Sequence, residues 1–162
     1  MSVLNTVAEF LDTEGVRYET DEDARVVRFY FTTEAAGWMV SVHHFSELQQ
    51  LVVASHLPSV VPPDLRPAVM EFATRINNEL LVGNFDIDLD AGHVRYRTGI
   101  DLDELDVNAA LVRNLIYANV WGMDLHLEGL NRVAYGGLDP EEAVALVRNA
   151  EADEDPSESA GT

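Results

Sequence analysis

With 162 residues, the chain has the size of a single domain, and its formal net charge is −19 because 29 acidic residues outnumber ten arginines, with no lysine. Nucleic-acid binding needs a basic stripe, which no segment supplies, and the absence of cysteine excludes disulfides, thiolate metal sites and thiol catalysis. The acidic composition fits either a high-salt habitat or the arginine use of a GC-rich genome, and the sequence leaves that choice open.

The N-terminal part of the sequence predicts one helix and then four antiparallel strands. A short amphipathic helix is indicated by apolar residues at helical spacing before Gly15, namely Val3, Leu4, Val7, Phe10 and Leu11. Strands are indicated by alternation in the segments VRYET, ARVVRFYFTT, WMVSVHHF and LQQLVVASHL. The start lacks a charged n-region, and no apolar run reaches about 18 residues, so we expect a cytoplasmic protein without a membrane span.

A second helix is predicted after the prolines that end this set of strands. Asp64 is expected to cap it, and Arg66-Pro67 opens it where a proline costs no hydrogen bond. Its apolar stripe is predicted to contain Val69, Met70, Phe72, Ala73, Ile76, Leu80 and Leu81.

A β-hairpin follows, in which apolar residues alternate with aspartates on one strand and with arginines on the other. Placing apolar residues opposite each other predicts five pairs: Phe85 with Thr98, Asp86 with Arg97, Ile87 with Tyr96, Asp88 with Arg95, and Leu89 with Val94. This register requires a loop of either Ala91-Gly92 or Asp90 to His93. We favour the longer loop, with Gly92 in the left-handed region.

Two further helices are predicted at the C-terminal end. Asn108 can cap the first, Gly122 and Gly129 predict a bend or break within it, and Gly136-Gly137 ends it. Asp139 and Pro140 begin the last helix, which we expect to end near Ala150. The sequence therefore predicts an α+β domain over residues 1–150, an antiparallel sheet packed by helices in the order α-β-β-β-β-α-β-β-α-α, and a disordered acidic tail over residues 151–162.

No motif in the sequence supplies a reaction centre, a cofactor site or a metal site. The run of Asp86, Asp88 and Asp90 fails as a calcium loop because Ala91 and Arg97 stand where glycine and glutamate are required. The acidic cluster of residues 101–106 fits a solvated loop, and the histidines lack ligand spacing. Nucleophile-elbow and nucleotide-binding motifs are absent as well. We therefore expect no enzyme activity, cofactor or metal.

Polar residues at the junction of the second helix and the hairpin allow two interpretations. Asn77 and Asn119 can hydrogen-bond the backbone where helix meets sheet. Alternatively Asn77, Asn84 and Asn119 form a polar site with Arg97 as an anion holder, which would indicate a small-ligand-binding or enzymatic domain. A deep polar pocket joining these residues would favour that alternative.

Two segments resemble the YbjN-domain family. These are RINNELLVGNFDIDLDAGHVRYRTGIDL and LVRNLIYANVWGMDLHLEGLNRVAYGG, within a similarity that spans about residues 10 to 137. The resemblance implies a fold similar to type III secretion chaperones, which often dimerise and bind segments of client proteins, and some family members are described as sensory-transduction regulators. It implies no catalytic residue.

The expected function is a non-enzymatic, chaperone-like or regulatory module that binds a segment of a partner protein. Free sheet edges, the first helix and the aromatic residues Trp38 and Trp121 are the candidate surfaces, and a shallow apolar groove would favour this interpretation. The sheet edges and the apolar faces of the first and third helices also predict a homodimer. The identity of the partner is beyond the sequence.

Overall fold

The computed structural model describes residues 2–154, and its elements follow the predicted order. They are α1 Val3–Thr13, β1 Tyr18–Asp21, β2 Val26–Thr32, β3 Gly37–Phe45, β4 Gln50–His56, a 3-10 turn Pro63–Leu65, α2 Arg66–Asn77, β5 Asn84–Ile87, β6 Val94–Asp101, α3 Ala109–Gly136 and α4 Pro140–Glu154. This confirms the α+β class. Helix α4 passes the expected end near Ala150, and the predicted tail beyond residue 154 lies outside the described residues.

The six strands form one antiparallel sheet in the order β1-β2-β3-β4-β6-β5. One face packs against α1, α2 and α3, and its residues form rows across the strands, such as Phe29, Val40, Ser55, Tyr96 and Phe85. The opposite face carries the alternating polar residues and is covered by no helix in the described part of the chain. Helix α4 packs on α2 and α3, which completes the helical layer.

The hairpin register differs from the predicted one. Ile87 lies opposite Val94, and Asp86 lies opposite Arg95 rather than Arg97, so the predicted pairing is wrong by two positions. The apolar face is preserved because a shift of two keeps every side chain on its side of the sheet. The loop starts one residue earlier than expected: Asp88 N donates to His93 O, which leaves residues 89–92 between them. Gly92 is left-handed, as predicted, with a φ of 80°.

One distant side chain and one adjacent side chain hold this loop in place. The Arg66 side chain donates to the carbonyl oxygens of Leu89 and Asp90 at 3.0 and 2.7 Å. The Asp88 side chain accepts from the backbone nitrogens of Asp90 and Ala91, both at 2.9 Å. The alternation of apolar residues reveals neither interaction. It therefore could not distinguish two registers that differ by two residues, because both place the same side chains on the buried face.

Helix α3 is continuous from Ala109 to Gly136, so a break between Gly122 and Gly129 is excluded. Its two internal glycines are sites of close packing. A Cβ on Gly122 would lie 2.4 Å from the Tyr96 ring, and one on Gly129 would lie 2.9 Å from Val147. Tertiary contacts therefore outweigh the cost of about 1 kcal/mol that each glycine imposes on a helix.

The helix ends agree with the sequence at most positions. Asn108 accepts from Leu111 N at 3.1 Å, and Asp139 accepts from Glu141 N at 2.9 Å. Gly137 ends α3 in the left-handed region with a φ of 65°. Asp64 is not the cap of α2, because it lies inside the 3-10 turn.

The predicted apolar stripe of α2 is too long. Val69, Phe72, Ala73 and Ile76 are buried, whereas Met70 is 44 % exposed and Leu81 fully exposed. The helix ends at Asn77, so the residues after it no longer follow the helical period.

Candidate functional site

The centre of the helix–sheet interface contains a buried polar network. Asn119 of α3 is fully buried, and its Nδ2 donates to the carbonyl oxygens of Val53 and Tyr96 at 3.0 and 2.9 Å. Its Oδ1 accepts from Ser55 Oγ at 2.7 Å, and Ser55 accepts in turn from Trp38 Nε1 at 2.9 Å. The network joins α3 to strands β3, β4 and β6 and leaves Asn119 no contact with solvent.

Trp38 therefore belongs to the core. Its ring is fully buried, and it packs beside Phe31 with ring centroids 5.2 Å apart. The sequence argument that both tryptophans exceed the needs of one core is wrong for Trp38, because β3 is a central strand and Trp38 faces its helix-covered side.

The other polar residues of the predicted junction do not converge on one pocket. Asn77 donates to Phe85 O at 2.9 Å and accepts from Phe85 N at 2.7 Å, so it holds the start of β5 against α2. Asn84 and Arg97 line a separate shallow recess of about 300 Å³. The backbone interpretation of Asn77 and Asn119 is confirmed, and the four residues share no deep cavity among residues 2–154.

A larger groove runs along the C-terminal half of α3 and has a volume of about 950 Å³. Its walls come from three elements: the loop between β2 and β3, helix α3 and the end of α4. The apolar and aromatic residues that line it are Ala35, Ala36, Trp121, Leu125, Leu127, Tyr135 and Ala150, and polar residues 124, 128, 131 and 132 lie among them.

Trp121 is the most prominent residue of this groove. It is 63 % exposed, although its ring stacks on Tyr117 with centroids 5.1 Å apart and an interplanar angle of 14°. The Tyr117 hydroxyl donates to Glu14 Oε2 at 2.6 Å, and this bond raises the pKa of Tyr117. Trp121 is thus both exposed and held in one orientation by contacts that reach α1.

At the other end of the groove, Tyr135 is also exposed and anchored. Its hydroxyl donates to Ser59 O at 2.7 Å, and burial raises its pKa. Between the two aromatic residues, Glu128 and Arg132 form an ion pair of 2.7 Å one helical turn apart. The groove therefore combines two fixed aromatic side chains with a charged strip.

Among residues 2–154, no group of three or more histidine, aspartate and glutamate side chains is placed to hold a metal ion, and no helix is long and apolar enough to cross a bilayer. His126 is buried against Phe85 and Tyr96, and its Nδ1 donates to Gly122 O at 2.7 Å. Burial lowers the pKa of His126.

The family model described as "Putative bacterial sensory transduction regulator", YbjN, matches residues 4–119. The chain belongs to the YbjN family. The matched residues cover the sheet and the first part of α3, whereas most of the groove, including Trp121, follows the matched segment. No curated protein sequence matches this YbjN-family chain.

Three solved structures share the fold of this YbjN-family protein. YbjN from E. coli has a TM-score of 0.53 and 11 % identity, covering 74 % of this chain and 85 % of that one. A chain of the HopA1–SchA chaperone–effector complex has a TM-score of 0.51 and 10 % identity, covering 74 % and 88 %. A chain of the ExsC–ExsE complex has a TM-score of 0.51 and 16 % identity, covering 80 % and 91 %. These likenesses confirm the expected fold, similar to type III secretion chaperones.

Sequence reasoning found Trp121 but missed the rest of the groove in this YbjN-family chain. Leu125 and Tyr135 follow Trp121 along α3. The spacing of four residues from Trp121 to Leu125 could have indicated that the two side chains lie on the same face of the helix. The contributions of Ala36 and Ala150 carry no local signal, because their place in the groove depends on how distant segments pack.

Proposed function

We propose that this YbjN-family protein is a non-enzymatic, chaperone-like or regulatory module that binds a segment of a partner protein in the groove along α3. The observation that carries the proposal is Trp121, a large aromatic residue that is exposed in an apolar groove and held there by stacking on Tyr117. Fixed aromatic side chains lose little entropy on binding, which is why tryptophan and tyrosine dominate interface hot spots.

The groove also indicates the chemistry of the bound segment. Apolar side chains would lie between Trp121 and Tyr135 and cover Leu125, as when an amphipathic helix fills a groove. The net charge of −19 and the exposed Asp124 and Glu128 favour a segment with lysine or arginine beside its apolar face. Two of the structural neighbours come from complexes, chaperone–effector and ExsC–ExsE, and this supports a role in partner binding.

The free edges of the sheet are weaker candidates than the groove. Strand β1 has only four residues and carries Glu19 and Asp21, while β5, at the other edge, has four residues including Asp86. Short, acidic edge strands discourage the addition of another strand. The small-ligand alternative has less support too, because the side chains of Asn77 and Asn119 are engaged with the backbone.

Site-specific photo-crosslinking in the native host tests this proposal. A photoreactive amino acid at Leu125 should capture a partner that the same amino acid at Glu47, exposed in the turn between β3 and β4, does not capture. The captured protein is then purified, and its affinity is measured for wild type and for Trp121→Ser. We expect a loss of about tenfold or more, equivalent to about 1.4 kcal/mol. Equal capture from both positions, or an unchanged affinity, would refute the proposal.

A homodimer remains part of the proposed function, with a narrower basis than the sequence indicated. The apolar face of α1 is buried in the monomer's own core through Leu4, Val7, Phe10 and Leu11, so it offers no surface for association. The groove of α3 remains available to a second copy. Because two chains of this charge repel and salt screens the repulsion, association should strengthen between 0.05 and 0.5 M salt.

Light scattering at the two salt concentrations tests the dimer. A dimer mass that rises with salt in wild type and is lost in Trp121→Asp supports association through the groove. A monomer mass at both concentrations excludes the dimer, whereas a dimer that weakens as salt is added would show that ionic contacts hold it together.

A further inference from the structure

The middle of the uncovered face of the sheet carries arginine and histidine side chains, although the chain as a whole is strongly acidic. One row across strands β2, β3, β4 and β6 contains Arg28, Ser41, Ala54 and Arg97, and a second row across β3, β4, β6 and β5 contains Met39, His56, Arg95 and Asp86. His43 lies on the same face, opposite Val52. On the four inner strands the alternation places a single carboxylate on this face, that of Asp101 at the end of β6, and the edge strands add Asp86 and, next to Arg28, Glu19 and Asp21.

These side chains enclose a recess of about 300 Å³. Ser41 and Ala54 are small and form its floor, while His43, His56, Arg95 and Arg97 stand around it. Phe45 closes one end and stacks on His43 with ring centroids 5.9 Å apart. The recess therefore has cationic and hydrogen-bonding walls with one flat apolar side, at the small end of the size range of ligand pockets.

The two arginines keep unused hydrogen-bond donors at this recess. Asp86 contacts both through their Nε atoms, with Oδ1 2.8 Å from Arg95 and Oδ2 2.7 Å from Arg97. The Arg97 Nε is buried and is not aligned to donate to that oxygen. Within residues 2–154, the terminal nitrogens of both guanidinium groups donate no hydrogen bond. One carboxylate neutralises one of the two charges, so a positive charge and several donors remain.

We propose that this recess is an anion site that binds a phosphate group, either free or carried by a small phosphomonoester. A phosphate offers more acceptor oxygens than a carboxylate and a second negative charge, which matches two guanidinium groups whose partner is a single carboxylate. Ser41 and His56, whose Oγ and Nε2 lie 2.8 Å apart, can provide further donors. The Phe45–His43 stack can contact the organic part of an ester.

Binding of the anion and protonation of the imidazole rings should be coupled. Burial, followed by the charges of Arg28 and Arg95, lowers the pKa of His43. Burial also lowers the pKa of His56, helped by Arg95, His43 and His93 and opposed by Asp86. Both rings are therefore neutral at pH 7.5, and an anion in the recess stabilises their charged forms. Binding should then take up protons and tighten as the pH falls.

NMR of the histidine ring protons tests the site directly in the full-length protein. Inorganic phosphate and phenyl phosphate are titrated at constant ionic strength with sodium chloride as the balancing salt. We expect the His43 and His56 resonances to move in a saturable manner, while that of the buried His126 does not. Tighter binding of phenyl phosphate would indicate an ester as ligand, and equal binding would indicate that the anion alone is recognised. Sulfate, which stays a dianion, should bind more tightly at pH 5.5 than at pH 7.5.

Matched variants distinguish a specific anion-binding site from a general effect of surface charge. Arg97→Gln should weaken phosphate binding about tenfold or more, whereas Arg113→Gln, an equal charge change on the exposed side of α3, should leave it unchanged. Gln50 lines the recess and is exposed, so its replacement by glutamate adds a negative charge on a side chain of nearly the same size. Gln50→Glu should therefore weaken binding strongly, whereas the neutral Gln50→Met should not. Shifts that fail to saturate, or that persist unchanged in Arg97→Gln and Gln50→Glu, would overturn the proposal.

Discussion

Replacing Asn119 by alanine tests whether the buried network holds α3 on the sheet. The asparagine amide donates to the carbonyl oxygens of Val53 and Tyr96 and accepts from the Ser55 hydroxyl, and it is fully buried. Alanine removes all three hydrogen bonds at once. It also leaves the Ser55 hydroxyl without its acceptor in a region that water does not reach.

The magnitude follows from these contacts. Hydrogen bonds contribute about 1 kcal/mol each, so the three together contribute about 3 kcal/mol, and a buried hydroxyl without a partner adds about 1 to 3 kcal/mol. The free energy of unfolding should therefore fall by about 4 to 6 kcal/mol. For a domain of this size that corresponds to a melting temperature lower by about 8 to 24 °C. Such a loss is a large part of the stability of a typical domain.

Urea and thermal unfolding, followed by circular dichroism, measure the effect. Asn114→Ala is the matched control, because Asn114 is exposed on the same helix and its replacement should change stability by less than about 0.5 kcal/mol. In a Ser55→Ala background, which lacks the hydroxyl, the loss of unfolding free energy caused by Asn119→Ala should be smaller than in wild type by at least about 1 kcal/mol. A loss below about 1 kcal/mol in wild type, or the absence of any coupling to Ser55, would refute this account of the network.

Three further outcomes are expected. Gly122→Ala should lower the free energy of unfolding by about 2 kcal/mol, because overpacking against Tyr96 costs up to about 3 kcal/mol and the better helix propensity of alanine returns about 1 kcal/mol. Gly136→Ala, which has open space around it, should not destabilise the protein, and a stabilising Gly122→Ala would contradict the packing account. Burial keeps the pKa of His126 below 6.5, so as the pH falls the unfolded chain is protonated at this residue before the folded one, and the free energy of unfolding should decrease below pH 6.5. In His126→Phe the slope of unfolding free energy against pH should be smaller, by at most about 1.4 kcal/mol per pH unit. Deletion of residues 152–162 should leave the melting temperature unchanged, because Ala152 and Asp153 are exposed and no core contact is predicted for the rest; a clear decrease in calorimetry would show that this segment docks.

Local sequence determined the order and the limits of most elements. Alternation identified every strand because one face of the sheet is buried, and Asn108, Asp139 and Gly137 marked helix ends through interactions that reach only a few residues. These features depend on neighbours in the chain, so the chain itself contains the information. The sequence also anticipated that Asn77 and Asn119 bond the backbone, although the partners of Asn119, Val53 and Tyr96, are distant in the chain.

Tertiary packing decided the rest, because the deciding contacts join residues far apart in sequence. The hairpin loop is bound by Arg66, which lies more than twenty residues before the carbonyls it contacts. Continuity of α3 through Gly122 depends on the Tyr96 ring. The two tryptophans have the same chemistry and opposite environments: Trp38 is buried because it faces the helices from a central strand, and Trp121 is exposed because α3 directs it into a groove that the β2–β3 loop and α4 help to form.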